Sequence, residues 1–196
     1  MAKLDRETIV NEALALLDEL GLDEVSTRRL AKRLGVEQPS LYWHFPSKAA
    51  LLTAMADAAM APHATAPLPA PSDDWRDWLR ENSRSFRRAL LAHRDGARLH
   101  AGTSPQGAGL SRALHKVDFL VAAGLSEQDA QMAMLTTSHF TVGSVLEEQA
   151  GAEHDGHAPQ LARHPSLDPA SAFDQGLALI IDGLAQRTHS GTARRR

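Results

Sequence analysis

The chain has 196 residues, 21 basic and 24 acidic side chains, a net charge of −3 and no cysteine. That length admits one or two domains with a substantial buried core, and the missing cysteines exclude disulfides and thiolate metal sites, as suits a reducing cytoplasm. The slightly acidic balance excludes a general nucleic-acid coat, which would be strongly basic, yet it is compatible with a sequence-specific binder that carries a small basic patch. No apolar run approaches the length of a membrane span, and Met1 leads into Ala2 and Lys3 rather than a signal core, so a soluble cytoplasmic protein with no membrane contact is expected.

Alanine and leucine dominate, β-branched residues are few and no stretch alternates with period two, so the expected class is all-α. Residues 5–21 read as an amphipathic helix with Ile9, Ala13, Leu16, Leu17 and Leu20 inward and Gly21 at its end. A second helix begins at Ser26 or Thr27, either of which can cap it, and closes at Gly35. Gln38-Pro39-Ser40 opens a third, running through His44. A fourth spans 47–61, and the proline-rich segment 62–73 marks a linker. The fifth runs from Asp73 or Asp74 to about His93, with Trp75, Trp78, Leu79, Phe86 and Leu90 on its apolar side. A short helix at 95–101 and one at 107–123, stopped by Gly124, come next. Ser126 and Asp129 have capping-box spacing and open a long helix to about Ala150. Residues 151–168 read as a polar loop, 169–187 as the last helix and 188–196 as a disordered tail.

The segment VSTRRLAKRLGVEQPSLYWHFPSK, residues 25–48, has the pattern of a helix-turn-helix. Its second helix is polar where a reading helix meets base edges and aromatic at its end. Arg28, Arg29, Lys32 and Arg33 lie on the preceding helix, where phosphates and flanking bases would be. An ordinary αα-hairpin with a solvated basic face is the plain alternative. Arg28 can pair bidentately with guanine O6 and N7, and Gln38 with adenine N6 and N7. Pro39 and Tyr42 can offer apolar surface to thymine methyls, while Thr27, Ser40, Trp43, His44 and Lys48 are placed to hold phosphates. For Tyr42 and Trp43 the competing reading is packing against the first helix. Catalysis is not expected. His154, His157 and His164 with Asp155 fit no HExxH spacing and lie in a Gly- and Pro-rich loop, and no nucleophile triad is visible.

The first 60 positions resemble the reading domain of the TetR family of bacterial repressors, with Ser40 where the resembled motif has threonine. The resemblance continues through SFRRALLAHRDGARLHAGT (85–103), HFTVGSVLEEQ (139–149) and GLALIIDGL (176–184). It implies a helix-turn-helix DNA-binding domain at 1–46 and a ligand-binding and dimerisation domain at 47–196, with 47–63 as the connecting helix. It also implies a homodimeric repressor on a palindromic double-stranded operator, with half-sites about 34–36 Å apart. A small polycyclic effector would release it; a repressor of the same fold with an unrelated effector, or none, is the alternative.

Asn82 and Phe86, four apart on one helix, can offer an amide and an aromatic wall. The resemblance adds His63, His100, Thr103, Lys116 and Glu147 to the ligand set. No cofactor is obligatory, but the effector is implied to arrive as a Mg²⁺ chelate, with His100 binding the metal directly and Thr103 and Glu147 acting through water. Three positions depart from the pattern. Ala64 follows His63 where the resembled proteins have a second histidine, Lys116 stands for glutamine, and Ser104 stands for arginine. Lys116 either attracts an anionic group or snorkels to solvent. The dimer interface is expected from the helices at 127–150 and 169–187, with Leu177, Ile181 and Leu184 outward; burial within a single chain is the alternative for these three.

Overall fold

The computed structural model describes residues 4–101, 103, 107–153 and 168–193. Among them every regular element is helical: α1 (Arg6–Leu20), a 3₁₀ turn (Leu22–Glu24), α2 (Thr27–Leu34), α3 (Gln38–Tyr42), α4 (Lys48–Ala64), α5 (Trp75–Leu91), α6 (Gly96–His100), α7 (Ala108–Ala122), α8 (Glu127–Glu153) and α9 (Pro169–Ala193). Ser104, the histidines at 154, 157 and 164 with Asp155, and Arg194 to Arg196 lie outside the described residues.

The helix ends follow local chemistry. Asp5 accepts from the Thr8 amide at 2.8 Å to start α1, and Ser26, rather than Thr27, caps α2 through the Arg29 amide at 3.3 Å. Gly35 closes α2 in the left-handed region at φ 65°, its amide reaching the carbonyls of Ala31 and Lys32. Helix α3 is shorter than expected: the amides of both His44 and Phe45 converge on the Leu41 carbonyl, tightening its last turn. Ser47 caps α4 through Ala50 at 3.1 Å. The Ser126 hydroxyl accepts from the Asp129 amide at 3.0 Å and reaches its carboxylate at 2.7 Å, as the capping-box spacing predicts.

Three helices run past their expected ends, α8 reaching Glu153 where a loop was expected from 151. Helix α4 runs through Pro62 to Ala64 instead of stopping before the proline. The proline forfeits its bond to the carbonyl four residues back, and the helix ends two residues later. At the other end of the chain, α9 continues to Ala193, past the expected stop at 187.

The chain divides into two compact units: residues 1–62 with 88–103, and residues 63–87 with 104–196. In the first, Ile9, Leu17, Val25, Leu30, Leu41, Leu51 and Met55 are fully or nearly fully buried, so α1 to α4 share one core. In the second, Trp75, Leu79, Phe119, Leu120, Leu125, Phe173, Leu177 and Ile181 make a single cluster. Phe140 and Phe173 stack there at 5.3 Å. Buried Thr137 and Thr141 satisfy their hydroxyls on the carbonyls four residues back. Leu177 and Ile181 are therefore core, not outward; they face the cluster from α5 and α7, and Leu184 packs against it half-buried. The outward apolar positions of α8 and α9 are Met132, Leu135, Leu146 and Leu179, the last 76% exposed.

Candidate DNA-reading face and effector site

The reading face is built from α2 and α3. Glycine at 35 and the buried anchors Leu30 and Leu41 fix the two helices against α1. Gln38 donates from Nε2 to the Thr27 hydroxyl at 2.9 Å and lies 3.4 Å from the Tyr42 hydroxyl. Three candidate residues are thus joined before any ligand arrives. Tyr42 is half-exposed and Trp43 is 90% exposed. Trp43 therefore does not pack on α1; the residue filling that core position is Phe45, with Arg6 over its ring at 4.2 Å. Pro39 and Lys48 are exposed, Ser40 and His44 half-buried.

The basic patch is smaller than the sequence suggests. Arg29 pairs with Glu24 at 2.5 Å, and Arg33 bridges Glu12 and Glu19 at 2.7 Å each. Those two guanidiniums brace the head internally. Arg28 and Lys32 are exposed on α2 and make no ion pair among the described residues.

A polar strap belongs to the same unit and was not anticipated. Asp95, 7% exposed and at φ 55°, accepts from the Leu22 amide at 2.7 Å and pairs with Arg98 at 3.2 Å. Arg98 also meets Asp23 at 2.9 Å, and Asp18 receives both the Arg94 amide and His93 Nδ1 at 3.0 Å. Helix α6 is thereby tied to the α1–α2 junction of the head. Gly96 makes this possible, because a Cβ there would sit 2.0 Å from the Leu90 carbonyl oxygen. The Asp-Gly pair at 95–96 was the available sequence signal for a tight turn.

At the far end of α6, His100 Nδ1 lies 3.3 Å from the Thr103 hydroxyl. Burial pushes the His100 imidazole below its ordinary pKa, so it is neutral at neutral pH and can act as a lone-pair donor.

The second unit gathers the remaining candidates. His63 meets the Ser85 hydroxyl at 3.2 Å and lies 5.2 Å from the Phe86 ring. One turn back on α5, the Asn82 Oδ1 accepts from Lys116 Nζ at 2.8 Å. Lys116 is thus folded inward rather than snorkelling to solvent. Its burial, with a smaller contribution from the Arg112 guanidinium, pulls its pKa down to about 8. Arg112 itself donates to the Ala66 carbonyl; sequence reasoning missed it, though its four-residue spacing to Lys116 was visible. Glu147 is exposed on α8, whereas its neighbour Glu148 pairs with Arg87 at 2.5 Å.

No three His, Cys, Asp or Glu side chains converge to hold a metal among the described residues. A neutral imidazole beside a hydroxyl, as at His100 and Thr103, suits a hard cation only as a minority ligand set, with most oxygens supplied by a chelating molecule and water.

An exposed reading face on a braced helix-turn-helix, in a chain whose second helical unit carries an aromatic and polar cluster, defines a DNA-binding regulator. Two family models match the chain: bacterial regulatory proteins of the tetR family at residues 9–55, and the tetracyclin repressor-like C-terminal domain at 68–166. The class A tetracycline repressor of transposon 1721 from Escherichia coli is 50% identical, over 95% of this chain and 93% of that protein. A TetR-family transcriptional regulator from Streptomyces coelicolor is 62% identical with a TM-score of 0.72, covering 93% of this chain and 98% of that one. The class A repressor crystallised with 5a,6-anhydrotetracycline and magnesium is 49% identical with a TM-score of 0.81, covering 94% and 99%. The chain belongs to the TetR family of transcriptional repressors, which bind operator DNA and small-molecule effectors and are not enzymes. No helix among its described residues is long and apolar enough to cross a membrane.

Proposed function

We propose that this repressor binds a palindromic operator as a homodimer and leaves it when a small polycyclic effector, carried with Mg²⁺, is bound. The observation that carries the DNA half of this reading is the preset Thr27–Gln38–Tyr42 group beside exposed Arg28 and Trp43. Fixing Gln38 in advance reduces the rotamer entropy lost when it meets a base. In this reading Arg28 and Gln38 read bases, Pro39 and Tyr42 meet thymine methyls, and Thr27, Ser40, Trp43, His44 and Lys48 hold phosphates.

For the effector, Phe86 and His63 supply a ring wall and Asn82 and Lys116 a polar end. His100, Thr103 and Glu147 are the groups that would hold the cation, directly or through water. The cation would neutralise the effector's acidic oxygens and orient them. Release requires the effector to favour the state whose heads misfit the operator; equal affinity for both states would shift nothing. Because His100 ends the helix that begins at the Asp95 strap, a pull on that imidazole is transmitted within one unit to the head.

The dimer surface in this reading is the outer face of α8 and α9. Met132, Leu135 and Leu146 line α8 at near-heptad spacing, and Leu179 stands out from α9. Gly143 and Gly183 have open space where a Cβ would be, which lets a partner helix approach closely. Leu179→Asp is expected to convert the dimer to monomer by sedimentation velocity, while the buried cluster around Leu177 keeps the monomer folded. A dimer that survives this change would move the interface elsewhere.

Fluorescence anisotropy on a labelled tetracycline-operator duplex at fixed salt, with a scrambled duplex as control, tests the whole reading. Specific binding reversed by tetracycline with Mg²⁺ supports it. Specific binding without reversal refutes tetracycline as the effector, and no preference over the scrambled duplex refutes the operator assignment.

A further inference from the structure

The polar end of the second unit's cluster is chemically one-sided. Arg112 and Lys116 are one helical turn apart on α7 and both are half-buried. Like charges at that spacing repel, and partial burial weakens the screening that water would provide. Neither cation meets a carboxylate among the described residues: the guanidinium spends a proton on the Ala66 carbonyl and the ammonium one on Asn82. Asn82 accepts from Lys116 through its oxygen and still has its NH₂ to offer. One turn along α5, Phe86 with His63 provides a flat aromatic wall.

We infer that Arg112 and Lys116 form an anion subsite, and that the effector carries a carboxylate on its fused-ring skeleton, seated between these two cations with its rings against Phe86 and His63. The inference rests on reading this cluster as the effector site. A carboxylate offers two oxygens and brings no proton, so it can accept from both cations and from the Asn82 NH₂. It also removes the repulsion between them. A neutral amide in the same place offers one acceptor and turns two donors towards donors. Carboxylate binding between the two cations would raise the Lys116 pKa from its burial-lowered value.

The test is isothermal titration of the full-length protein with anthraquinone-2-carboxylate and with anthraquinone-2-carboxamide, which share a ring system and differ in charge. The acid is expected to bind at least about tenfold tighter, as a charge-assisted pair replaces a neutral one. Lys116→Gln and Lys116→Met should narrow that ratio to below about twofold, chiefly by weakening the acid. Both variants should melt at or above the wild-type temperature, since a repulsive half-buried pair is removed. If one of them fails to fold, Arg112→Gln supplies the same comparison. Equal affinity for the two probes, no binding of the acid at millimolar concentration, or a ratio that survives the Lys116 variants would overturn the inference. Operator anisotropy on the same preparations separates the two readings: a protein that holds its operator but ignores the acid loses only the subsite, whereas one that ignores the operator loses the proposed function.

Discussion

Arg28→Ala is expected to weaken binding of the specific operator by about a hundredfold, with no change in melting temperature and little change in affinity for scrambled DNA. Arg29 and Arg33 are engaged with Glu24, Glu12 and Glu19, so their loss would be felt first in the head's own packing. Arg28, one position away, is exposed and makes no such pair among the described residues. Its removal costs the free protein nothing that the structure records. On DNA, a bidentate contact to guanine is worth about 1–3 kcal/mol, and in the proposed homodimer the substitution removes two of them at once. Anisotropy titrations at one salt concentration, on matched and scrambled duplexes, give the answer directly. An equal loss on both would make Arg28 a phosphate contact. No loss on either would remove it from the interface.

The second large effect is structural. Gly96→Ala should lower the stability of the protein by about 3 kcal/mol, because overpacking against rigid backbone has no easy relief. The added methyl would lie 2.0 Å from the Leu90 oxygen and 3.0 Å from its carbonyl carbon, and Leu90 is itself fully buried. The segment from His93 to Arg98 must shift to make room, and with it Asp95 and the Leu22 amide that it holds. Urea unfolding reads the loss of stability, and operator release assays read a second consequence: an effector should lose its grip on the heads even where the variant still folds. A wild-type unfolding midpoint would mean that the chain passes Leu90 at a greater distance than described.

Much of this architecture was legible from local chemistry. Ser26, Gly35, Ser126 and Gly124 punctuate helices through their own backbone and side-chain geometry, so their roles survive translation from sequence to structure. What escaped depends on partners far away in the chain. Leu177, Leu179 and Ile181 are similar side chains within five residues, and only the position of α5 and α7 decides that the first and last are core while the middle one is bare. Arg28 and Arg29 are adjacent and chemically identical, yet Glu24 claims one of them. Lys116 reads as a surface residue until Asn82, 34 positions away, is found to accept its proton. Pro62 shows a milder failure: the rule that proline breaks helices is a statement about interiors, and α4 meets it in its last turn.

The strap between α6 and the head has a consequence for how salt titrations of this repressor should be interpreted. Its ion pair between Asp23 and Arg98 is largely exposed, and such pairs weaken as ions are added. Ionic strength therefore acts twice on the binding equilibrium, reducing the free energy gained when counterions leave the duplex and loosening the mount on which the reading helix is carried. The slope of log affinity against log salt would then exceed the number of phosphates the protein touches. A contact count inferred from that slope alone would credit the DNA with interactions that belong to the protein's own frame.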